Sequence, residues 1–225
     1  MKKASIIRLL MTALAMVTLV TSEANAQGRS LIGINGVLAR PVGEFQDFVD
    51  WGGGINLYGV INPLRRSPVG IRIDGSVLWY GHETFRKPLS KTIQRVMVDV
   101  NTDNIIGSLG MGPQLTLGQG ELRTYVYGTV GFSYFATVSS SGDARSTHFD
   151  EVTPALTAGG GLLLRLSRGK HPVSLNFSAQ TIYHGETTYL RQGSILESPN
   201  GSISFVPIKS GANLVTFRFG IAIGV

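Results

Sequence analysis

The sequence has no cysteine, few charged residues and no apolar run long enough for a transmembrane helix. Without cysteine, disulfide bonds, thiolate metal sites and cysteine nucleophiles are excluded. Charged residues make up 15% of the 225 residues, well below the roughly 25% of a soluble domain. The mostly apolar run at 9–20 is shorter than the ~20 residues that a spanning helix needs. These absences disfavour both a cytosolic enzyme and a helical membrane protein.

The first 26 residues have the organisation of a secretory signal peptide. Lys2, Lys3 and Arg8 precede the apolar run, and the Ala-Asn-Ala sequence at 24–26 supplies the small-residue cleavage pattern. We therefore expect residues 1–26 to be removed during export, so that the mature chain begins at Gln27.

Apolar residues alternate with small or polar residues along most of the mature chain. In the segment 215–225, Val, Phe and Ile occupy the odd positions, whereas Thr, Arg, Ala and Gly occupy the even ones. A period of two places each set on its own face of a β-strand. Eight segments show this pattern, which predicts eight strands of about 10–13 residues, each with one apolar face.

The polar faces distinguish a membrane barrel from a soluble β-sandwich. They are rich in Gly, Ser, Thr, Asn, Gln and Tyr, and their charged residues are Arg72, Asp74, Arg165 and Arg218. A sandwich would present many Lys and Glu to water, whereas small and hydrogen-bonding side chains suit the crowded lumen of a small barrel. The pattern therefore favours a transmembrane barrel.

The predicted connections alternate in length. Outer-membrane barrels have long external loops and tight periplasmic turns. The sequence thus predicts an all-β, eight-stranded antiparallel up-and-down transmembrane barrel over residues 27–225, with both termini in the periplasm. The predicted long loops are 40–51, 82–103, 139–152 and 185–212, and the predicted turns are 63–68, 118–122 and 167–172.

Three features carry a family resemblance: the Pro-Val-Gly-Glu-Phe sequence at 41–45, the three glycines at 52–54 and the alternating terminal strand. With them, the chain resembles the small eight-stranded outer-membrane β-barrel proteins of bacteria, the group that contains the transmembrane domain of outer-membrane protein A and the opacity and X-type barrels. The resemblance implies residence in the bacterial outer membrane, contact with its lipid and lipopolysaccharide, and insertion by the barrel assembly machinery. Outward-facing Trp79, Tyr134 and Tyr183 are expected to form an interfacial aromatic girdle.

A polar cluster is predicted to close the lumen. Arg72 and Asp74 share one strand face, and Arg218 lies at a comparable height on the terminal strand. With Arg165 nearer the periplasmic end, three cations would share one anion. The alternative is that each charged residue is solvated separately by water in the lumen.

The histidines do not form a recognisable catalytic or metal-binding motif. His82 and His184 each have an acidic residue nearby, but their strands, the third and the seventh, are not neighbours in an eight-stranded ring. Lipid A-modifying barrels carry either a histidine and a serine two residues apart or an external histidine, aspartate and serine set. Two residues after His82 and His184, where the serine would lie, this chain has Thr84 and Glu186. His148 lies in a predicted loop. No catalytic residue, metal or cofactor is predicted.

The barrel architecture and the distribution of charge narrow the classes of function that this protein could have. The interior of an eight-stranded barrel is filled by side chains, so a general diffusion pore is not expected. Positive charge is divided among several periplasmic turns, which disfavours nucleic-acid binding. We expect a non-enzymatic protein that contacts an extracellular ligand or surface, as in adhesion, or that serves envelope integrity. Transport of a small or apolar solute and lipid A modification are the alternatives. Alternating stretches at 96–100 and 203–206 would extend strands beyond the membrane and present an edge for partner strands. The alternative is that they form extended hairpins that only shield the barrel.

Overall fold

A computed structural model describes residues 30–47, 49, 51–63, 67–88, 97–118, 120–141, 144–189, 195–197, 203–205 and 208–225. The predicted signal peptide lies outside these ranges. Within them, no helix is both long and apolar enough to cross a membrane.

Eight antiparallel strands close a barrel, which confirms the predicted fold. Each strand pairs with the next barrel strand along the chain, and the last pairs with the first, with Leu31 opposite Gly224 and Pro41 opposite Leu214. The barrel strands are β1 (Leu31–Pro41), β2 (Gly52–Ile61), β3 (Val69–Pro88), β4 (Met97–Leu117), β5 (Leu122–Ser141), β6 (Ala144–Arg165), β7 (Val173–His184) and β12 (Leu214–Gly224).

The two faces of each strand differ as the period of two predicts. Outward-facing Ile32, Leu57 and Phe219 are 58%, 56% and 56% exposed, whereas inward-facing Asn35 and Arg72 are buried. An apolar outer face is stable only in lipid, and a polar inner face is stable only if its groups are hydrogen-bonded. Because short turns mark the periplasmic side of such barrels, the connections 62–68, 118–121 and 166–172 define the periplasmic end.

β3 to β6 continue far beyond the other barrel strands. β3 and β4 pair as far as Pro88 opposite Met97, and β5 and β6 pair as far as Ser141 opposite Ala144. The prediction that 82–103 and 139–152 are loops was therefore wrong, because most of these residues lie in strands of 20 to 22 residues. The expectation that an alternating stretch within 82–103 extends a strand is confirmed by β4, which begins at Met97. Backbone pairing can continue outside the membrane without the apolar alternation that lipid requires. We call the external parts of β3–β6 the four-stranded extension.

The segment between β7 and β12 forms two small two-stranded sheets. The alternating stretch at 203–205 is a strand, but it pairs within this segment and does not prolong a barrel strand. The backbone N–H of Thr188 donates to Glu151 Oε2 at 2.6 Å, which places the segment against β6. The strands are β8 (Glu186–Tyr189) with β11 (Ile208–Gly211), and β9 (Ile195–Glu197) with β10 (Ile203–Phe205).

Candidate functional site in the barrel lumen

Apolar side chains fill the external end of the lumen. After β1 the chain turns into a 3₁₀ helix, Gly43–Asp47. The turn is at Gly43, whose φ of 68° is readily available only to glycine. Phe45 on this helix is fully buried, and its ring meets the edge of Tyr80 with 5.6 Å between centroids. We call this cluster the apolar plug; it comprises Val37, Ala39, Phe45, Val49, Leu78, Tyr80, Ile106, Phe135, Ile182, Ala212 and Leu214.

Below the plug, two arginines bind one aspartate. Arg72 donates from Nε and Nη2 to Asp74 Oδ2, at 2.9 and 2.6 Å. Arg218 reaches from β12 and donates from Nη1 to both carboxylate oxygens of Asp74, at 3.0 and 2.9 Å. All three residues are buried. The carboxylate therefore receives four charge-assisted hydrogen bonds.

The guanidinium of Arg72 is enclosed by aromatic rings. Its central carbon lies 4.0 Å from the ring centroid of Tyr58 and 4.2 Å from that of Tyr127. Its Nη1 donates to Gln114 Oε1 at 2.9 Å. Stacking and hydrogen bonds together offset the large cost of removing this cation from water.

A chain of side-chain hydrogen bonds crosses the lumen and ends on the same carboxylate. Tyr125 Oη donates to Asn176 Oδ1 at 2.7 Å, and Asn176 Nδ2 donates to Asn35 Oδ1 at 2.8 Å. Asn35 Nδ2 donates to Asn56 Oδ1 at 2.8 Å, and Asn56 Nδ2 donates to Asp74 Oδ1 at 2.9 Å. Every donor points toward Asp74, so the negative charge polarises the whole chain favourably. These asparagines were not among the residues predicted to form the polar cluster, although their inward positions in the sequence pattern were the available signal.

Arg165 lies apart from these contacts. It is at the periplasmic end of β6, opposite Ser174. Among the described residues its guanidinium forms no hydrogen bond or ion pair, and its Nε is buried. The structure thus brings Arg72, Asp74 and Arg218 together and leaves Arg165 separate.

His184, the last residue of β7, is buried beside the plug. Its Nδ1 lies 2.6 Å from the carbonyl oxygen of Ala212, so Nδ1 carries the proton and donates it. Nε2 then accepts from the hydroxyl of Ser133 at 2.8 Å. A serine–histidine pair is the arrangement of an activated nucleophile, but Ser133 is 0% exposed. The cavity beside neighbouring Ser108 measures about 20 Å³, room for about one water.

The other histidines are placed as follows. His82 lies in β3 opposite Asp103, and His148 lies in β6 and not in the predicted loop. Nδ1 of His171, in the turn before β7, is 3.2 Å from the carbonyl oxygen of Gly224. Within the part of the chain that the structure describes, no three metal-ligating side chains converge.

The residues predicted to form the girdle all face outward. Trp79, Tyr134 and Tyr183 are 45%, 39% and 52% exposed. Trp51, which was not predicted to belong to the girdle, is also exposed, and the guanidinium carbon of Arg40 lies 5.7 Å from its ring centroid.

A closed eight-stranded barrel with an apolar exterior and a filled polar lumen is a small outer-membrane β-barrel. The sequence matches no protein-family model and no curated protein. A major outer membrane protein from Thermus thermophilus has the same fold, with a TM-score of 0.51 and 11% identity over 87% of this chain and 99% of that one.

Two further solved structures are similar. Ail, the attachment invasion locus protein of Yersinia pestis, was solved in complex with the heparin analogue sucrose octasulfate; its TM-score is 0.48 at 14% identity, over 88% of this chain and 98% of that one. Neisserial surface protein A has a TM-score of 0.48 at 10% identity, over 87% and 97% of the two chains.

Proposed function

We propose that this protein is a non-enzymatic outer-membrane protein that contacts partners at the cell surface through its four-stranded extension. The observation that carries the proposal is the edge of β3. From Gly81 to Pro88, β3 pairs with β4 on one side, whereas β2 pairs with β3 only as far as Gly53 opposite Trp79. Within the described residues no strand covers the other side. Unpaired backbone groups at such an edge can bind an added strand.

The opposite edge of the extension, on β6, is a less accessible surface. The backbone N–H of Gly185 donates to the carbonyl of Pro154 at 3.4 Å, and Thr188 donates to Glu151. The segment that follows β7 therefore lies along β6. This asymmetry favours β3 as the recognition edge.

The interior supports contact rather than chemistry or transport. The apolar plug and the Arg72–Asp74–Arg218 cluster occupy the lumen, and Ser133 and His184 are buried in it. Side chains packed in this way within the described lumen favour neither a substrate cleft nor an open path there.

The test is to remove the β3 edge. Residues 82–103 are replaced by a two-residue Asn-Gly turn that joins Gly81 to Asn104, which face each other in the β3–β4 ladder. The matched control replaces 138–148 with the same turn, joining Thr137 to Phe149. Cells that display each variant are tested for adhesion to immobilised glycans and extracellular-matrix proteins.

We expect the first variant to lose adhesion that the control retains, with both variants folded as judged by heat-modifiable migration in gels. Equal adhesion by wild type and the first variant would refute a role of the β3 edge. If neither wild type nor the variants bind, but both variants make cells sensitive to detergent, the role is envelope integrity.

We also propose that residues 1–26 are removed during export. The mass of the protein from purified outer membranes should correspond to a chain beginning at Gln27. A mass that retains these residues would contradict the proposal.

A further inference from the structure

A buried histidine joins the parts of the chain that close the external end of the barrel. The backbone N–H of His184 donates to Asn213 Oδ1 at 3.0 Å, and its Nδ1–H donates to the carbonyl oxygen of Ala212 at 2.6 Å. The carbonyl oxygen of Asn213 in turn accepts from the backbone N–H of Val42 at 3.0 Å, just before the 3₁₀ helix that carries Phe45. His184 therefore connects the end of β7 to the chain before β12 and, through it, to the 3₁₀ helix.

The surroundings of the His184 ring suit the neutral imidazole. Because Nδ1 carries the proton, Nε2 accepts from the hydroxyl of Ser133 at 2.8 Å. The hydroxyl oxygens of Ser133 and Ser108 are 2.7 Å apart, and the ring of Phe135 meets the imidazole edge-on with 5.3 Å between centroids. Protonation would make Nε2 a donor, so the hydrogen bond from Ser133 would be lost.

No carboxylate among the described residues contacts this imidazole. Glu151 on β6 accepts from a backbone N–H, and the plug itself contributes only the neutral phenol of Tyr80 as a titratable group. Of the basic residues nearby, Arg40 faces outward and Lys209 pairs with Glu186 at 3.1 Å. The acidic residues of the elements around the plug are exposed or have other partners: Glu44, Asp47, Asp103, Asp150, Glu151 and Glu186.

His184 lies above the part of the barrel that spans the membrane. It is 11 residues from Val173, the periplasmic end of β7; at a tilt near 40° this distance is about 29 Å, beyond an apolar band of about 25 Å. Burial lowers the pKa of His184, and the hydrogen bond to the carbonyl of Ala212 opposes this effect only in part. The closed plug therefore binds a proton more weakly than a hydrated imidazole does, whose pKa is about 6.5.

The sign of the pH effect follows from this difference in proton affinity. The contribution of the neutral imidazole to closure is fully present above about pH 6.5, and it is lost as the pH falls from there through the lower pKa of the closed plug. Acid therefore favours the open plug, in which the imidazolium is hydrated.

We propose that His184 is an acid-sensitive latch of the apolar plug. When the imidazole is neutral, it holds the end of β7, the chain before β12 and the 3₁₀ helix together. When it is protonated, this link loosens and the apolar side chains of the plug become accessible from outside. The Arg72–Asp74–Arg218 cluster lies below the plug and takes no part in the change, so the lumen stays filled. The latch is independent of the β3 edge, and each proposal can fail without the other.

The first experiment uses single thiols, since the wild-type chain has no cysteine. Val49→Cys places a thiol of similar size in the buried plug, and Gln46→Cys places one on the exposed side of the 3₁₀ helix. The folded variants in micelles are labelled with a methanethiosulfonate reagent at about pH 7.5 and about pH 5. Dividing the rate for Val49→Cys by that for Gln46→Cys removes the pH dependence of thiol reactivity. We expect this ratio to rise by about threefold or more on acidification. An unchanged ratio overturns the proposal.

Two substitutions in the Val49→Cys background test the histidine itself. His184→Gln cannot gain a charge, so its labelling ratio should be the same at both pH values. His171→Gln is the matched control, because His171 lies at the periplasmic end of the barrel beside the carbonyl of Gly224; it should retain the full acid response. An acid response in His184→Gln equal to that of the background, or its loss in His171→Gln, contradicts the assignment to His184.

A third variant decides the matter if His184→Gln is labelled at both pH values. Ala155→Asp places a carboxylate opposite His184 in the β6–β7 ladder, where it stabilises the imidazolium and raises its pKa. The sign then reverses: closure is favoured by acid, and the Val49→Cys thiol should be protected at about pH 5. Heat-modifiable migration verifies that the barrel is folded at each pH. An increase in labelling at acid pH as large as that of the background would refute the latch.

Discussion

At the scale of single residues, Asp74 has the largest electrostatic role in the described lumen. Its carboxylate accepts hydrogen bonds from two buried guanidinium groups and from Asn56. The net charge of Arg72, Asp74 and Arg218 is positive, so removing the carboxylate leaves two cations close together without an anion.

We therefore expect Asp74→Ala to lower the free energy of unfolding by about 3 kcal/mol. Unfolding by urea in detergent micelles measures the change. The control is Glu121→Gln, which breaks an ion pair that is exposed to solvent and should cost less than about 1 kcal/mol. A similar loss of unfolding free energy in the two variants would show that burial of the Asp74 cluster contributes nothing to stability.

A single glycine allows the hydrogen-bonded chain to cross β12. Gly220 pairs with both Asn35 and Asn176, whose side chains meet over it. A Cβ at Gly220 would collide with the carbonyl oxygen of Ile34 and the Cα of Asn35. Those backbone atoms cannot move aside without disturbing the β1–β12 ladder.

We expect Gly220→Ala to destabilise the barrel by about 1–3 kcal/mol, the usual cost of overpacking. Gly36→Ala is the control: it lies on the outer face of β1, where the nearest atom to a new Cβ is 3.8 Å away. Both substitutions reduce the entropy of the unfolded chain equally. Equal urea midpoints for the two variants would contradict this account of Gly220.

At the scale of the strand, the two faces experience different solvents. Phe219 lies outward on β12, five residues before Gly224, and its ring is 4.9 Å from that of Phe177. With strands tilted near 40°, this position is about 13 Å above the periplasmic end, close to the middle of an apolar band of about 25 Å.

Phe219→Arg should therefore cost about 2–4 kcal/mol in the inserted barrel. Val152→Arg is the control, because Val152 also faces outward but lies 13 residues from the end of β6, beyond the band; its cost should be about 0–1 kcal/mol. Leu109→Arg, nearer the external interface, should fall between them. Gln180 is unsuitable as a neutral control, since it is buried and accepts from Tyr127 at 2.6 Å. Costs that do not vary with depth in liposome unfolding would refute a membrane location for these strands.

At the scale of the whole molecule, the lumen is filled in successive layers. The apolar plug lies at the external end, the Arg72–Asp74–Arg218 cluster lies beneath it, and Tyr58, Tyr125 and Tyr127 occupy the periplasmic side. From these layers of described side chains we infer that the lumen is closed to water and ions.

We expect the folded protein to show no steady conductance in a planar lipid bilayer. Recording in concentrated potassium chloride tests this, and flotation with liposomes verifies insertion. Stable single-channel steps would show that the lumen opens and would favour solute transport over surface contact.

The alternation of residues in the sequence determined the number of barrel strands and the facing of each side chain. This information is local: whichever strands pair, lipid selects apolar residues at every second position, and a crowded lumen selects small or polar ones. Arg72, Asp74 and Arg218 could therefore be assigned to the lumen, and the short periplasmic turns could be located.

Only the tertiary structure decided which inward residues meet. Contacts across the lumen depend on strand register and on the stagger of the closed barrel, and side-chain alternation carries no information about either. Register brings Arg218 to Asp74, leaves Arg165 beside Arg123, and aligns the asparagines of β1, β2 and β7. The alternating stretch within 82–103 indicated that a strand continues beyond the membrane, as β4 does. The extension of β5 and β6 was not visible in the pattern, because backbone hydrogen bonds hold those strands where no lipid constrains their side chains.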